Sequence, residues 1–234
     1  MDCQEFSELG LTDNFPVSLL DLSHPYTHTM LDLPPHGQPF FNAAEHLLSG
    51  TPFQIGKIAM STHTGTHIDF PRHLLPHGKT QDDYPIGYFV GSAVVLDLTR
   101  QGIVEITLED LLNSGPPVEE NDIVLLHFGY ANRFGSHEYR TEHPYLSEEV
   151  ASYLVDQKVR ILGLDLQTPD LPASRRGENF SFPAHRILLT GDCLIIENLG
   201  PALGQILGRR VSFMAAPLRI PGADGVPVRP LAWW

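Results

Sequence analysis

The run His63-Thr64-Gly65-Thr66-His67-Ile68-Asp69-Phe70-Pro71-Arg72-His73 places three imidazoles and a carboxylate within eleven positions. Imidazole and carboxylate are donors that Zn²⁺ and Mn²⁺ take from proteins, and a set of three leaves coordination positions open for water or substrate. His63, Gly65, His67, Asp69 and His73 all stand at odd positions, so an extended chain turns them to one face. A helix would also bring His63 and His67 together, as it does the two histidines of zinc proteases. Gly65, Thr64, Thr66 and Pro71 are poor or forbidden in a helix interior, which favours a strand running into a loop that lines a metal site. Among twelve histidines some neighbours arise by chance and serve only as polar surface. Several titratable groups crowded on one face, however, repel and desolvate one another unless a cation compensates them.

Farther along, His185 precedes Arg186-Ile187-Leu188-Leu189, and Glu197 interrupts Leu194-Ile195-Ile196-Glu197-Asn198-Leu199. A carboxylate amid isoleucines and leucines is costly to bury alone, so the local sequence leaves Glu197 either on a solvated surface or buried beside a partner. His185 taken alone reads as structural. Gly163–Asp170 reads as a strand ending in a turn, with Asp165 or Thr168 available to support a metal ligand. No Gly-x-Ser-x-Gly elbow signals a serine nucleophile. Of the two cysteines, Cys3 lies near the terminus, and Cys193, in an apolar run, reads as a small buried hydrophobe.

The elements that must position these groups read as short strands with few helices. Residues 17–22, Ile55–Thr62, Val90–Leu98, Asp122–His127, Ile161–Leu166, Ile187–Leu189 and Val211–Ala216 have strand character. Thr107 caps a short helix to Leu112, and Ser147-Glu148-Glu149 opens another to Leu154. This pattern is α/β with a mixed sheet. Residues 24–54, rich in Pro, His, Phe and Gly, lack periodicity and read as an irregular lid or dimer-contact segment.

At 234 residues, with 42% hydrophobic and 18% charged residues, the chain fits one globular domain over 1–234. A net charge of −13 argues against a nucleic-acid partner, and the doublets Arg175-Arg176 and Arg209-Arg210 read as solvated surface. The acidic start Met1-Asp2-Cys3-Gln4-Glu5 is unlike a signal peptide, and no apolar run has membrane-spanning length. A soluble cytoplasmic protein, without a membrane partner, is the expectation.

The pattern H-x-G-T-H-x-D-x-P-x-H over His63–His73 resembles the signature of the cyclase-like metal hydrolases, which include the bacterial type of kynurenine formamidase (arylformamidase) and isatin hydrolase. The likeness extends from Leu20-Asp21-Leu22-Ser23-His24-Pro25 to Asp224-Gly225-Val226-Pro227-Val228-Arg229. It implies a swivelling β/β/α-type domain around a barrel-like mixed sheet, and a homodimer. It also implies a centre of two divalent ions, Zn or Mn. There His63, His67 and Asp69 hold one ion, His185 joins at the second, and Asp69 and Glu197 bridge. His73 is then the acid/base residue, handing a proton to the leaving nitrogen after metal-activated water attacks an amide carbonyl.

The implied substrate is a small aryl formamide such as N-formylkynurenine. Isatin-hydrolase-like opening of a cyclic amide or imide is the alternative, followed by a non-catalytic metal-dependent binding protein and an interaction domain with structural histidines. The tryptophan that formamidases commonly carry in a W-P-G-D-like stretch has no counterpart in Leu31-Asp32-Leu33-Pro34-Pro35-His36-Gly37, and His127-Phe128-Gly129-Tyr130 replaces a common T-G-W. Phe40 and Phe41 are candidate ring platforms, and Arg72 is a candidate anchor for a substrate carboxylate, although its even position turns it from the ligand face.

Overall fold

The computed structural model describes residues 18–27, 30, 39–45, 50 and 52–234, the side chains of 41–45 excepted. The strands in chain order are β1 (Leu19–Asp21), β2 (Phe40–Glu45), β3 (Ile55–Ala59), β4 (His67–Asp69), β5 (Val90–Asp97), β6 (Glu105–Ile106), β7 (Ile123–His127), β8 (Tyr145–Leu146), β9 (Ile161–Leu164), β10 (Leu194–Glu197), β11 (Arg210–Met214), β12 (Gly225–Pro227) and β13 (Leu231–Trp233). The helices are α1 (Leu108–Leu112), α2 (His137–Thr141), α3 (Glu148–Asp156) and α4 (Pro183–Thr190). Nine strands form one mixed sheet in the order β1-β13-β11-β5-β7-β9-β10-β4-β12, while β2 pairs with β3 and β6 with β8.

The middle of the sheet is parallel, β5-β7-β9-β10, and a helix lies in each crossover: α1 after β5, α3 after β7 and α4 after β9. Strands covered on both faces need apolar residues at every position, which is why Val94–Leu96, Ile123–Leu126 and Leu194–Ile196 read as unbroken hydrophobic runs. Their side chains divide by parity. Val94, Leu96, Val124, Leu126, Leu162 and Ile195 pack under the helices with Val150, Leu154 and Leu188. Ala93, Val95, Ile123, Leu125, Ile161 and Ile196 face the other way, onto Ile68, Phe70, Phe213 and Val226.

That second cluster fills the inside of a curled sheet. β12 and β13 stand seven places apart in the strand order, which in a flat sheet is about 34 Å. Only residues 228–230 join them, a link with a reach of about 14 Å. The sheet therefore curls until its two ends approach. His24, just past β1, donates its N–H to the Thr66 hydroxyl, just before β4, at 2.9 Å across that seam. The expected α/β domain with a barrel-like mixed sheet and few helices is the one observed.

Several expectations are sharpened or corrected. Thr107 and Ser147 cap α1 and α3, their hydroxyls accepting from the Asp110 and Val150 N–H groups. Ile187–Leu189, expected as a strand, is the end of α4. Pro183 starts that helix, and the buried Ala184, His185, Leu188 and Leu189 recur at helical spacing. Three apolar residues in a row cannot distinguish the two. Part of the segment 24–54 is regular, because β2 forms an antiparallel ribbon with β3. The Leu31–Gly37 stretch, the Phe41 side chain and the terminus bearing Cys3 lie outside the described residues. Cys193 is free and fully buried, and burial holds its thiol up at about 12. Among the described residues no helix is long and apolar enough to cross a membrane.

Candidate metal centre

β4 is short and central to the site. It pairs on one side with β10, setting His67 opposite Glu197 and Asp69 opposite Ile195, and on the other with β12, setting Gly225 opposite Asp69. Ile68 points into the barrel core, so its neighbours His67 and Asp69 emerge together on the opposite face. The odd-position register thus holds for the strand but not for the whole motif. His63 arrives from a turn in which Gly65 has φ +64, and His73 follows in a 3-10 turn, Pro71–His73. The histidines converge because the chain turns around β4, where a fully extended segment would have spread them apart.

Asp69 is the hub, 1% exposed. Its Oδ1 lies 2.7 Å from His63 Nδ1 and 3.3 Å from His67 Nε2, and its Oδ2 lies 3.6 Å from His185 Nε2. Glu197 completes the cluster, 3.5 Å from His67 Nε2 and 3.3 Å from His185 Nε2. Two convergent donor groups share Asp69: His63, Asp69 and His73, and His67, Asp69 and Glu197, with the atoms of each within 4.8 Å of one another. All five residues expected as ligands, His63, His67, Asp69, His185 and Glu197, are therefore buried in one place. His73 stands at the mouth, its side chain 28% exposed, with its ring 4.1 Å from that of His63.

The outer partners fix which nitrogen each imidazole presents. His67 Nδ1–H donates to the Gly65 carbonyl at 2.8 Å, which leaves Nε2 for the cluster. That carbonyl also accepts from Asn198 Nδ2 at 2.8 Å, and Tyr139 donates its hydroxyl to Asn198 Oδ1 at 2.8 Å. Asn198 adopts φ +59, a region asparagine tolerates better than most residues. His185 Nδ1–H donates to Asp170 Oδ2 at 2.5 Å, again directing Nε2 inward, and Asp170 also accepts the Ala184 N–H at the start of α4. His63 Nε2 lies 3.1 Å from Asp224 Oδ2. Asp170, Asp224 and Asn198 were not singled out from the sequence, although Asp170 ends the Gly163–Asp170 stretch and Asn198 follows Glu197.

The electrostatics fit a cation. Burial alone would push the Asp69 carboxyl up, yet the charge of His67 and the hydrogen bonds from His185, His63 and His67 hold it well below the usual range. Burial opposes charge on His63, but Asp69 and Asp224 raise it to about 9. His67 and His185 are likewise raised against burial, His67 chiefly by Asp69 and His185 by hydrogen bonds it donates to Asp170, Asp69 and Glu197. Protons on these imidazoles supply the positive charge that a divalent ion would otherwise bring. His73 differs, since burial holds it below its ordinary value. This donor set suits a divalent ion such as Zn²⁺ or Mn²⁺.

The remaining expected residues stand apart. Phe40 lies on β2, about half exposed, and makes no ring contact with the histidines among the described residues. Arg72 is exposed on the 3-10 turn, outside the extended strand on which its even position was read. Asp165 accepts the backbone N–H groups of Phe128, Gly129, Tyr130 and Ala131, so it organises the loop after β7 rather than the cluster itself. Arg176, expected as solvated surface, is partly buried against Phe180 and Phe182.

The chain is 28% identical over 211 residues to a kynurenine formamidase of Bacillus mycoides, covering 90% of this chain and 94% of the relative. It is 33% identical over 178 residues to one from Geobacillus thermodenitrificans, covering 75% and 78%. Its fold matches isatin hydrolase A from Labrenzia aggregata with a TM-score of 0.80 at 26% identity, covering 92% of this chain and 93% of that one. Fold and relatives together define a hydrolase acting on amide C–N bonds. A profile described as putative cyclase matches residues 20–171. The chain belongs to that putative cyclase family.

Proposed function

We propose that this amidohydrolase cleaves a small aryl formamide, with N-formylkynurenine as the type of substrate, at a centre of two divalent ions, Zn or Mn. The observation that carries the reading is the convergence of three buried imidazoles and Glu197 on the buried carboxylate of Asp69, with a further imidazole, His73, open at the mouth. His63, His67, Asp69, His185 and Glu197 would hold the ions, with Asp69 shared between the two donor groups. Divalent ions there supply Lewis acidity and make water nucleophilic near neutral pH.

The chain's own residues do the rest. Gly65 and Asp170 hold His67 and His185 in the tautomer that offers Nε2 inward. His73 is held neutral at pH 7 by burial, so it is available to take a proton and return it to the leaving nitrogen. Its Nδ1 lies 3.8 Å from Asp224 Oδ2, a carboxylate that stabilises the protonated imidazole once formed. Opening of a cyclic amide is the second reading, favoured by the fold match to isatin hydrolase A.

The two readings separate on one metal-reconstituted preparation, assayed with N-formylkynurenine, formanilide and isatin. The formamides should lead. A preference for isatin of more than about tenfold in kcat/KM, about 1.4 kcal/mol of transition-state discrimination, would overturn the first reading in favour of the second. Elemental analysis should return about two divalent ions per chain, and content staying well below one after reconstitution refutes the centre. We further propose a homodimer. Phe40, Ile55 and Ile58 on the β2–β3 ribbon are 51%, 44% and 67% exposed, an apolar surface of the kind a second copy covers. A monomer mass by light scattering at micromolar concentration would refute it.

A further inference from the structure

The loop between β9 and α4 holds a cation that the proposed mechanism does not use. Arg176 lies with its guanidinium carbon 5.1 Å from the centre of the Phe180 ring and 4.8 Å from that of Phe182. The rings are 5.1 Å apart at 71°, so they form two walls around the planar group. Arg176 Nε–H donates to the Leu171 carbonyl at 2.7 Å, which fixes the orientation of the fork. Its two terminal nitrogens have no partner among the described residues, and no carboxylate pairs with it. Arg175, beside it, is exposed and has no such setting.

Phe182 ties this cation to the metal centre. It has φ 54 and ψ 60, a left-handed conformation that is strained for a bulky residue and is retained where the surroundings enforce it. In that conformation its ring stands edge-on to the ring of His185 at 6.2 Å while its face meets Arg176. Asp170 and Glu197 are close enough to act electrostatically on the guanidinium without contacting it. Ions bound at the centre would offset those carboxylates and leave Arg176 as an unpaired, partly buried positive charge. Such a charge is unfavourable until an anion completes it.

We propose that Arg176 is the anchor for a carboxylate carried on the aromatic ring of the substrate, which packs against Phe182 while its amide lies at the metal centre. A guanidinium fork with both terminal nitrogens open matches a carboxylate bidentately, and a flanking phenyl ring suits an aromatic body. A chain of net charge −13 does not draw an anion by long-range attraction, so the selection has to be local. The inference rests on the amide-hydrolase reading and narrows it to anionic aryl amides. It moves the anchoring role from Arg72 to Arg176.

The test uses a pair of substrates differing only in the charge, 2-formamidobenzoate and formanilide, together with the product-like 2-aminobenzoate as a binding probe. The proteins are wild type, Arg176→Gln, Arg176→Lys and the exposed control Arg175→Gln. The kcat/KM ratio of 2-formamidobenzoate to formanilide should fall at least tenfold in Arg176→Gln, mostly through KM, fall less in Arg176→Lys, and stay at the wild-type value in Arg175→Gln. Titration calorimetry with 2-aminobenzoate, on metal-loaded and metal-free protein alike, should show at least tenfold weaker binding to Arg176→Gln. Equal loss on both substrates, or 2-aminobenzoate binding unchanged by Arg176→Gln, overturns the proposal. So does a wild type that neither binds 2-aminobenzoate nor favours the charged substrate. Absent turnover of both substrates with Arg176-dependent binding intact would instead refute the hydrolytic reading and leave the anchor standing.

Discussion

Replacing Gly225 by alanine would test the geometry of the metal centre with a single methyl group. Gly225 lies opposite Asp69 in the β12–β4 pairing, and the space its side chain would fill is taken by the His63 ring. A Cβ there would stand 2.4 Å from His63 Cε1 and 2.8 Å from both ring nitrogens. The Gly225 backbone is not in the left-handed region, so alanine brings no conformational penalty and the whole effect is this collision. Ordinary contact returns only if the ring retreats by about 1 Å. The His73 ring is 4.1 Å from that of His63, and the 2.7 Å contact with Asp69 and the 3.1 Å contact with Asp224 are both disturbed when the ring moves. A displacement of that size in a catalytic constellation costs about a hundredfold in rate. We therefore expect Gly225→Ala to lower kcat/KM for formanilide about a hundredfold and to weaken metal binding in a chelator-competition titration. Gly87→Ala, where a Cβ meets nothing within 4 Å, is the control and should behave as wild type. Turnover and metal affinity within twofold of wild type, with His63 unmoved in a crystal structure of the variant, would falsify the reasoning.

Other residues make separable predictions. Asp170→Asn should weaken metal binding about 10–100-fold, because the 2.5 Å bond that orients His185 loses its charge; chelator competition reads this directly, and unchanged affinity would show that helix α4 alone places the imidazole. His73→Ala should keep its metal and lose about 10²–10⁴ in turnover, and loss of metal in that variant would make His73 a ligand instead. In metal-free protein His63 is raised to about 9, so its ion pairs stabilise the fold fully below an unfolded-state value of about 6.5 and are lost as pH rises through 9. The melting temperature measured in chelator should fall over that interval, and a flat profile would contradict the pairing. Metal must displace the same protons, so apparent affinity should rise with pH and binding should release protons to an indicator dye.

How far the sequence reaches is clearest residue by residue. His63, His67 and Asp69 announce a metal centre because their types and spacing are local properties, and a short strand with turns at either end is enough to bring them together. The buried strands, the cap Thr107 and the helix start at Ser147 were legible for the same reason: unbroken apolar runs, a capping hydroxyl and an acidic first turn act within a few residues of themselves. Glu197 remained ambiguous until the β10–β4 register set it opposite His67, across 130 residues of chain. Asp170, Asp224 and Asn198 carried no local signal, because what each does depends on an imidazole or carbonyl supplied by a distant segment. Arg176 looked like half of a surface doublet, and only the packing of Phe180 and Phe182 encloses it. The curl of the sheet is likewise non-local, forced by a three-residue link between strands that stand seven places apart. Sequence by itself determined which chemistry was available. Tertiary structure decided which groups meet, because coordination and burial depend on distance in space, and distance between far segments is set by how the whole sheet closes.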